Sequence, residues 1–522
     1  MKIVSTFRRK LKTSRKFVFE NIMDLDHVCV LHRKWFSNLR IIVQQADYVE
    51  YRLTSSFYGL RQELLVRGAP IDHDRYWYEF SGPLAKIRVE GLMEGADGCL
   101  TLIERITYQF SWLLAPLFWL LRPLFKRQKQ DILLADSGLL ERVYELDQAG
   151  FRRRENESPR IVVYGGDGFF GRRVVHDLLN YSEYNILIAS RHPQPKKELR
   201  RFENRVKFAI SDIGDYDSVR RIIRGAKVVL CCIGPYQGLT LNLIRACIEE
   251  KVHYIDVADD RDFVARCHAL SAQIKASGIA AFIGCSVVPG MSSLLTKFCL
   301  DAMNAAEAEK VKICITPGTR HPRGAGSFSC LLSTVGEKFF VLEDGRQELM
   351  EGWTGREQVS FPAPLGNRWV YFVVDIPDYF LQPIYFKTKT VEFKIGSELD
   401  FLNHCLSGIR WIKKTTGLRR LDFLAPLFRV LISLASTLGT SQGGLMVEVS
   451  RNGGEKEKEK MNAAVFASEK GEVIPAILPS IAVQMILRGD VESRGVIPLA
   501  SWLPQERFAA ELEKRQIAFS MQ

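Results

Sequence analysis

The sequence predicts an α/β protein organised around a doubly wound parallel sheet, and three observations support this prediction. An apolar run, Ile161–Tyr164, breaks into glycines and then resumes with the spacing of a helix. Within the break, Gly166, Gly168 and Gly171 have the spacing G-x-G-x-x-G. A second apolar run, residues 184–189, follows the helix. Strand, glycine turn, helix and strand in this order are typical of a βαβ unit.

The glycine turn is predicted to hold the pyrophosphate of a dinucleotide, as in Rossmann-type sheets. Such a turn needs glycines for a tight bend, for close approach of the backbone to the phosphates and for close packing of helix on strand. The helix N-terminus adds free N–H groups and a partial positive charge. The alternative is a plain glycine turn. The residues predicted to contact the cofactor here are Gly165, Gly166, Gly168, Phe169, Phe170 and Gly171.

The end of the second strand determines the choice of cofactor, because the residue there meets the 2′ position of the adenosine ribose. Ser190 and Arg191 occupy this position. A guanidinium beside a small hydroxyl suits a 2′-phosphate, so the expected cofactor is NADP(H). Asp212, after the third strand, is predicted at the adenine edge. The alternative is that Arg191 is an ordinary solvated residue.

A fourth buried strand, residues 226–233, ends in Gly234 and Pro235, which are predicted to lie beside the nicotinamide ribose. The next residue, Tyr236, is the first candidate for proton transfer. His253 and Asp256, on the following strand, are the others, because a general acid needs only reach and a suitable pKa. The alternative for Tyr236 is simple packing over the cofactor.

These motifs together resemble the saccharopine dehydrogenase-like reductases. The resemblance rests on the glycine turn, the Gly-Pro-Tyr segment at residue 234, the His-Tyr-Ile-Asp strand at residue 253 and the strand-loop over 278–290. It covers about residues 157–522 and implies an NADP(H)-dependent oxidoreductase. Residues 285–289 depart from the family's usual loop, and no cluster for a dicarboxylate amino acid is evident. Lysine metabolism is therefore not expected.

The N-terminal region has a different order of elements. A strand and two short helices, over residues 15–26 and 27–36, precede a run of strands, and a long helix from about Pro123 to Leu146 closes the region. The strands are predicted at residues 39–43, 48–53, 62–66, 76–80, 87–91 and 99–108. This α+β order resembles the START-like, polyketide-cyclase-like (SRPBCC) helix-grip fold, which implies a hydrophobic ligand between sheet and helix. The alternative is a structural domain with a solid core.

The predicted domain organisation follows from these assignments. The segments are a helix-grip ligand-binding domain at 1–152, a polar linker at 153–159, a Rossmann NADP-binding domain at 160–289, an inserted α+β domain for substrate binding or dimerisation at 290–450, and a C-terminal return segment at 451–522. A homodimer is therefore a candidate assembly.

Composition indicates a soluble globular protein, with 522 residues of which 47% are hydrophobic and 25% charged. The formal charge of +12 is dispersed and accompanies no nucleic-acid motif, so no nucleic-acid partner is expected. The 11 cysteines contain no C-x-x-C pair, which predicts neither a metal site nor a disulfide framework. Residues 1–10 lack the apolar core of a signal peptide, and a cytoplasmic location is expected.

Two apolar runs, residues 110–125 and 421–434, are interrupted and shorter than the roughly 20 residues that a membrane span needs. Each is predicted as a buried helix or pocket cover, with peripheral contact to a membrane as the alternative.

The sequence thus predicts an NADPH-dependent reductase of a hydrophobic, lipid-like or polyketide-like substrate, bound with the help of the N-terminal domain. Two alternatives stay open. One is a lipid-binding or transfer protein whose Rossmann domain senses redox state, and the other is an imine-reducing amino-acid dehydrogenase.

Overall fold

The structure, a computed structural model, describes residues 2–23, 32, 36–45, 47–57, 60–83, 85–110, 115–148, 152–153, 160–192, 199, 202, 204–321, 332–416, 432, 434–453 and 457–522. By its internal contacts the chain divides into two compact units. The first is Met1–Val162 with Asn185–Arg224, and the second is Val163–Tyr184 with Gly225–Gln522. This division passes through the predicted nucleotide-binding domain, and the predicted domain boundaries stay predictions.

The first unit contains a seven-stranded antiparallel sheet with the order β1-β7-β6-β5-β4-β3-β2. One short helix follows its first strand, and one long helix follows its last. The elements are β1 (Lys2–Leu11), α1 (Arg15–Met23), β2 (Phe36–Gln44), β3 (Val49–Phe57), β4 (Leu60–Pro70), β5 (Arg75–Ser81), β6 (Ala85–Ala96), β7 (Cys99–Phe110) and α2 (Ala115–Gln148).

Every second side chain along β7 is buried, and this alternation shows which face of the sheet lies in the core. On β7, Leu100, Leu102, Ile106 and Tyr108 are buried, and they pack with neighbouring strands. Side chains on successive residues of a strand point to opposite faces, so one face of β7 lies in the core. Leu139, Leu140 and Val143 of α2 belong to the same core as Leu100 and Leu102.

The six strands predicted after the short helices are confirmed, as is the long closing helix. The helix begins at Ala115 and not near Pro123, so Pro123 lies inside it. The expectation that Pro123 marked the first turn was therefore wrong. A proline inside a helix has no N–H to donate to the carbonyl of residue i−4, so the helix continues through Pro123 with one backbone hydrogen bond fewer. The second short helix, predicted at residues 27–36, lies mostly outside the described residues.

An eight-stranded sheet follows, with the strand order β23-β14-β13-β12-β9-β10-β11-β8. Residues of β9 belong to both units, and the strand pairs whose register is defined are parallel. Its elements in chain order are β8 (Arg152–Arg153), β9 (Ile161–Tyr164), α3 (Gly171–Tyr181), β10 (Ile186–Ser190), β11 (Val206–Ile210), α4 (Tyr216–Ile223), β12 (Val228–Cys231), α5 (Asn242–Glu250), β13 (His253–Asp256), α6 (Arg261–His268), α7 (Ser271–Ser277), β14 (Ala280–Phe282) and, far along the chain, β23 (Gly495–Val496).

This order confirms the predicted parallel α/β sheet. The chain places β10 and β11 on one side of β9 and then continues with β12 on the other side, so the strand order reverses at β9. In open α/β sheets ligands bind at such a reversal, outside the carboxyl ends of the strands. One helix predicted from about Phe263 to Ser277 is divided into α6 and α7 by Ala269 and Leu270.

The second unit also carries a mixed sheet, with the path β17-β16-β20-β15-β21-β22-β24 and the pair β18–β19 attached at β20. This sheet contains strands of the segment predicted as an inserted α+β domain and also two strands, β22 and β24, of the predicted return segment 451–522. Its elements are α8 (Ser292–Ala302), β15 (Lys310–Pro317), β16 (Lys338–Glu343), β17 (Arg346–Glu351), β18 (Thr354–Phe361), β19 (Gly366–Phe372), α9 (Asp378–Phe386), β20 (Thr390–Ile395), α10 (Asp400–Thr416), β21 (Gly443–Gly453), β22 (Glu457–Ala467), α11 (Ile474–Arg488), α12 (Gln505–Glu513) and β24 (Ala518–Met521).

Among the described residues, one helical stretch, Gly471–Arg488, is long and apolar enough by composition to cross a membrane, and 67% of it is buried in the protein. This stretch contains α11, and the packing of α11 on α3 explains the burial. A core helix of a soluble protein has the same properties. Of the two apolar runs singled out in the sequence, residues 115–125 are helical, whereas residues 421–434 lie almost entirely outside the described chain.

Candidate dinucleotide-binding site

The turn between β9 and α3 is tightly folded on its own backbone. Gly165 has φ +73°, a left-handed conformation that favours glycine, and a β-carbon there would lie 3.1 Å from the carbonyl oxygen of Cys232. The N–H of Gly168 donates to the carbonyl of Gly165 at 2.9 Å. A β-carbon on Gly171 would collide with that same carbonyl oxygen. The geometry of the turn therefore requires glycine at 165 and 171, and it favours glycine at 168, where a β-carbon would lie 3.0 Å from the Gly165 carbonyl oxygen.

The glycine spacing alone pointed to Gly166, Gly168 and Gly171, whereas the left-handed position is Gly165. Tyr164, immediately before it, is fully buried, and its carbonyl accepts the N–H of Cys232 at 2.8 Å. The chain must therefore leave a buried strand and reverse within one residue. The doubled glycine at 165 and 166 was the sequence signal for this bend.

The N-terminus of α3 is available for an anion. Among the described residues no side chain caps this helix at Phe170, and the N–H groups of Arg172 and Arg173 donate to the carbonyls of Gly168 and Phe170 at 3.2 and 3.0 Å. The helix end keeps the partial positive charge of its dipole. Phe169 and Phe170 contact each other edge to face at 4.9 Å, and the Arg173 guanidinium lies 4.1 Å from the Phe169 ring centre. A glycine cradle that ends at an uncapped helix start fits a pyrophosphate.

The end of β12 forms the neighbouring part of the same edge. Gly234 and Pro235 are exposed there, and a β-carbon on Gly234 would have no heavy atom within 4 Å. The backbone at Gly234 is thus open on this side, and its place beside the ribose stays a prediction. Burial raises the pKa of the nearby Cys231 thiol to about 12, which excludes it as a thiolate near neutral pH.

Tyr236, the first candidate for proton transfer, is buried. Its hydroxyl donates to the carbonyl of Cys231 at 2.7 Å and accepts the N–H of Val257 at 3.2 Å. Its ring contacts Phe263 at 5.0 Å, and burial raises the pKa of the hydroxyl well above its ordinary value. The hydroxyl thus joins the ends of β12 and β13. This geometry favours the packing alternative, and a catalytic role for Tyr236 stays a prediction.

Asp256 ends β13 and is fully buried. Its Oδ1 accepts the N–H groups of Gly284, at 2.7 Å, and Ala258, at 3.1 Å, while its Oδ2 has no hydrogen-bond partner among the described residues. Burial raises the pKa of this carboxyl to about 6. Asp256 therefore ties the loop after β14 to the strand edge and keeps one oxygen that can hold a proton.

His253 lies at the opposite end of the same strand. β13 runs parallel to β12, and His253 is its first residue while Asp256 is its last. The Nδ1 of His253 accepts the N–H of Ala280 at 2.9 Å, and burial lowers the pKa of the ring. The proposed catalytic role of His253 needs correction, because ligands of parallel sheets bind at the carboxyl edge and His253 lies at the amino edge.

Gly284, which sequence reasoning did not single out, belongs to this edge. It has φ +77°, donates its N–H to Asp256, and contacts Pro289 closely. A glycine directly after a short buried strand was the available signal.

The remaining predicted contacts lie in the first unit. Ser190 ends β10, and its carbonyl accepts the N–H of Ser211 at 3.1 Å, at the end of β11. Asp212 is nearly buried, and its Oδ1 accepts the N–H of Gly214 at 2.9 Å. Arg191 is exposed after the strand. Their contacts to a cofactor stay predictions.

We predict that Tyr236→Phe lowers the free energy of unfolding by about 1–3 kcal/mol, because the N–H of Val257 loses its buried acceptor. Denaturant unfolding measures this loss. Turnover by the folded variant should equal that of the wild type if the hydroxyl only packs.

Tyr181→Phe is the matched control, since its hydroxyl makes an exposed hydrogen bond to Lys514 and its loss should cost less than about 0.5 kcal/mol. A folded Tyr236→Phe enzyme that binds cofactor and does not turn over would instead assign proton transfer to this hydroxyl.

Comparison with known proteins agrees with this site. Residues 161–281 match the family model of the saccharopine dehydrogenase NADP binding domain. A probable mitochondrial saccharopine dehydrogenase-like oxidoreductase of Arabidopsis thaliana is 25% identical over 152 residues, which are 26% of this chain and 34% of the relative. The lipid droplet localized protein of Caenorhabditis elegans is 24% identical over 137 residues, covering 24% and 32% of the two chains. The matches thus span about a third of these curated relatives.

The names of these relatives refer to mitochondria and lipid droplets, so the cytoplasmic location expected for this chain stays a prediction. Among solved structures, saccharopine dehydrogenase (L-Glu forming) from Saccharomyces cerevisiae superposes with a TM-score of 0.51 at 14% identity, over 69% of this chain and 99% of that one. This likeness shows a shared fold. The chain therefore carries an NADP(H)-binding domain of the saccharopine dehydrogenase type and is related to the saccharopine dehydrogenase-like oxidoreductases.

Proposed function

We propose that the protein is an NADPH-dependent oxidoreductase that reduces a hydrophobic substrate, lipid-like or polyketide-like, with the N-terminal sheet and helix as a helix-grip domain for that substrate. The observation that carries the proposal is the glycine turn. Gly165 is left-handed, Gly171 has no room for a β-carbon, and the helix start beside them is uncapped. These are the features that a pyrophosphate-binding turn needs.

The protein's own residues would bind the cofactor and orient it toward the substrate. The turn would hold the pyrophosphate, and the open backbone at Gly234 would admit the ribose. When bound, NADPH supplies a hydride. The matching proton can come from water or from a group at the same edge, where the fully buried Asp256 interacts with Tyr254 and has a pKa raised by burial to about 6. A carboxyl with this pKa can hold and release a proton near neutral pH.

The N-terminal region contains a cavity that is suited to a hydrophobic substrate. Its antiparallel sheet and long helix enclose a cavity lined mainly by apolar and aromatic side chains. The same chain carries this cavity and the NADP(H) site, and covalent tethering raises the effective concentration of a bound molecule. Tethering therefore favours delivery of substrate over a purely structural role for the N-terminal domain.

Steady-state oxidation of NADPH tests the function. We expect turnover with members of a panel of C=C, C=O and C=N substrates, with KM falling as the apolar body of the substrate grows, because apolar burial contributes about 25 cal/mol per Å². Saccharopine and other amino-acid substrates serve as the comparison set.

Binding of NADPH and of apolar ligands without turnover of any panel member would contradict the proposal and favour the lipid-binding protein with a redox-sensing domain. Turnover confined to the amino-acid set would favour the imine-reducing dehydrogenase.

Arg191 is proposed to contact the 2′-phosphate of NADPH with the help of Ser190. We predict that Arg191→Ala weakens binding of NADPH by about 1–3 kcal/mol and binding of NADH far less, because only NADPH loses a charge-assisted pair. Fluorescence titration of both cofactors measures this difference. Arg245→Ala, which removes an exposed cation on α5, should leave both affinities unchanged. Equal losses for NADPH and NADH would contradict the assignment.

A further inference from the structure

The cavity of the N-terminal sheet has a charged end. Glu104 of β7 is 6% exposed, accepts the hydroxyl of Tyr76 at 2.7 Å and lies 2.7 Å from Nζ of Lys129, on α2. A second pair lies on the same wall, where Nε2 of His32 is 2.9 Å from Oδ1 of Asp136. All five side chains line the cavity.

Glu104 occupies a position that the strand pattern assigns to the core. Leu102 precedes it and Ile106 follows it on the same face, and both are buried. A buried ion pair adds little stability compared with apolar side chains of similar size, because both charges lose their hydration. Stability alone therefore does not explain an acid at this position, and a role in binding does.

The lining of the cavity includes a buried hydrogen-bond acceptor that has no donor among the described residues. Asn21, on α1, is 7% exposed, and its Oδ1 accepts no hydrogen bond from any described residue. An unsatisfied buried acceptor costs about 1–3 kcal/mol unless a ligand or water supplies a donor. Both basic groups of the wall, Lys129 and His32, are already paired with carboxylates. An anionic ligand would thus meet two carboxylates with no cation left to balance it.

The rest of the lining is apolar and rich in rings. It includes Phe36, Tyr51, Tyr78, Phe80 and Val89. Phe36 and Phe80 are stacked with their ring centres 6.4 Å apart. Flat aromatic surfaces favour a compact ring system over a flexible chain, because a rigid body loses less entropy on binding.

We propose that this cavity, whose lining also holds the Glu104–Lys129 pair, binds a neutral molecule with a compact aromatic body and a hydroxyl group, and that the hydroxyl donates to Oδ1 of Asn21. Free fatty acids and other carboxylates are excluded by the charge balance. The inference rests on the proposed function, whose hydrophobic substrate it narrows to a class.

The test uses three probes of one body size, 2-naphthol, naphthalene and 2-naphthoate, titrated against the full chain by calorimetry. We expect 2-naphthol to bind about tenfold more tightly than naphthalene, which lacks a donor, and 2-naphthoate to bind most weakly. In Asn21→Leu the preference for 2-naphthol should fall to about twofold or less. Asn180→Leu, at an exposed helical position, should keep the wild-type preference.

The comparison of the three probes on the wild-type protein needs no variant, so misfolding of Asn21→Leu would not remove the test. Equal binding of 2-naphthol and naphthalene, or tightest binding of 2-naphthoate, would overturn the ligand class and leave the proposed function intact. Failure of all three probes in samples that bind NADPH would overturn the ligand class and also the substrate-binding role given to this domain in the proposed function.

Discussion

The contact on which the nucleotide-binding site depends is the close approach of Gly171 to the carbonyl oxygen of Gly165. It allows α3 to begin directly beside the end of β9, so that the helix N-terminus and the strand ends lie at one edge. The left-handed backbone of Gly165 and the hydrogen bond from Gly168 keep the turn in this shape. A side chain at Gly171 would separate helix from strand and open the phosphate cradle.

The parallel half of the fold could be predicted from the sequence because its signals are local. A buried apolar strand, a glycine break and an apolar helix face are recognised within about twenty residues, and β9, α3 and the next strand, β10, lie where these local signals predicted them. The roles of single side chains were less predictable. Tyr236 follows one strand and His253 begins the next, but only the folded sheet shows that the Tyr236 hydroxyl joins two strand ends and that the His253 imidazole lies at the amino edge.

The charged end of the N-terminal cavity illustrates the same limit. The run from Cys99 to Tyr108 is recognisable as a strand, yet the sequence does not say which partners its acid meets. Glu104 joins Tyr76, 28 residues earlier, and Lys129, 25 residues later, and only the folded sheet and helix bring them together. A charged residue that interrupts an alternating apolar pattern is thus visible in the sequence. Its role depends on contacts with residues that are distant along the chain.

The central claim is that the carboxyl edge of β9 and β12 holds NADPH, and Gly234→Ala tests it most directly. A β-carbon at Gly234 meets no protein atom within 4 Å, so the free energy of unfolding should change by less than about 0.5 kcal/mol. If the ribose of NADPH passes over this backbone, the dissociation constant of NADPH should rise about tenfold or more, since a steric cost of 1.4 kcal/mol gives a factor of ten. A folded Gly234→Ala protein with wild-type affinity for NADPH would contradict the account.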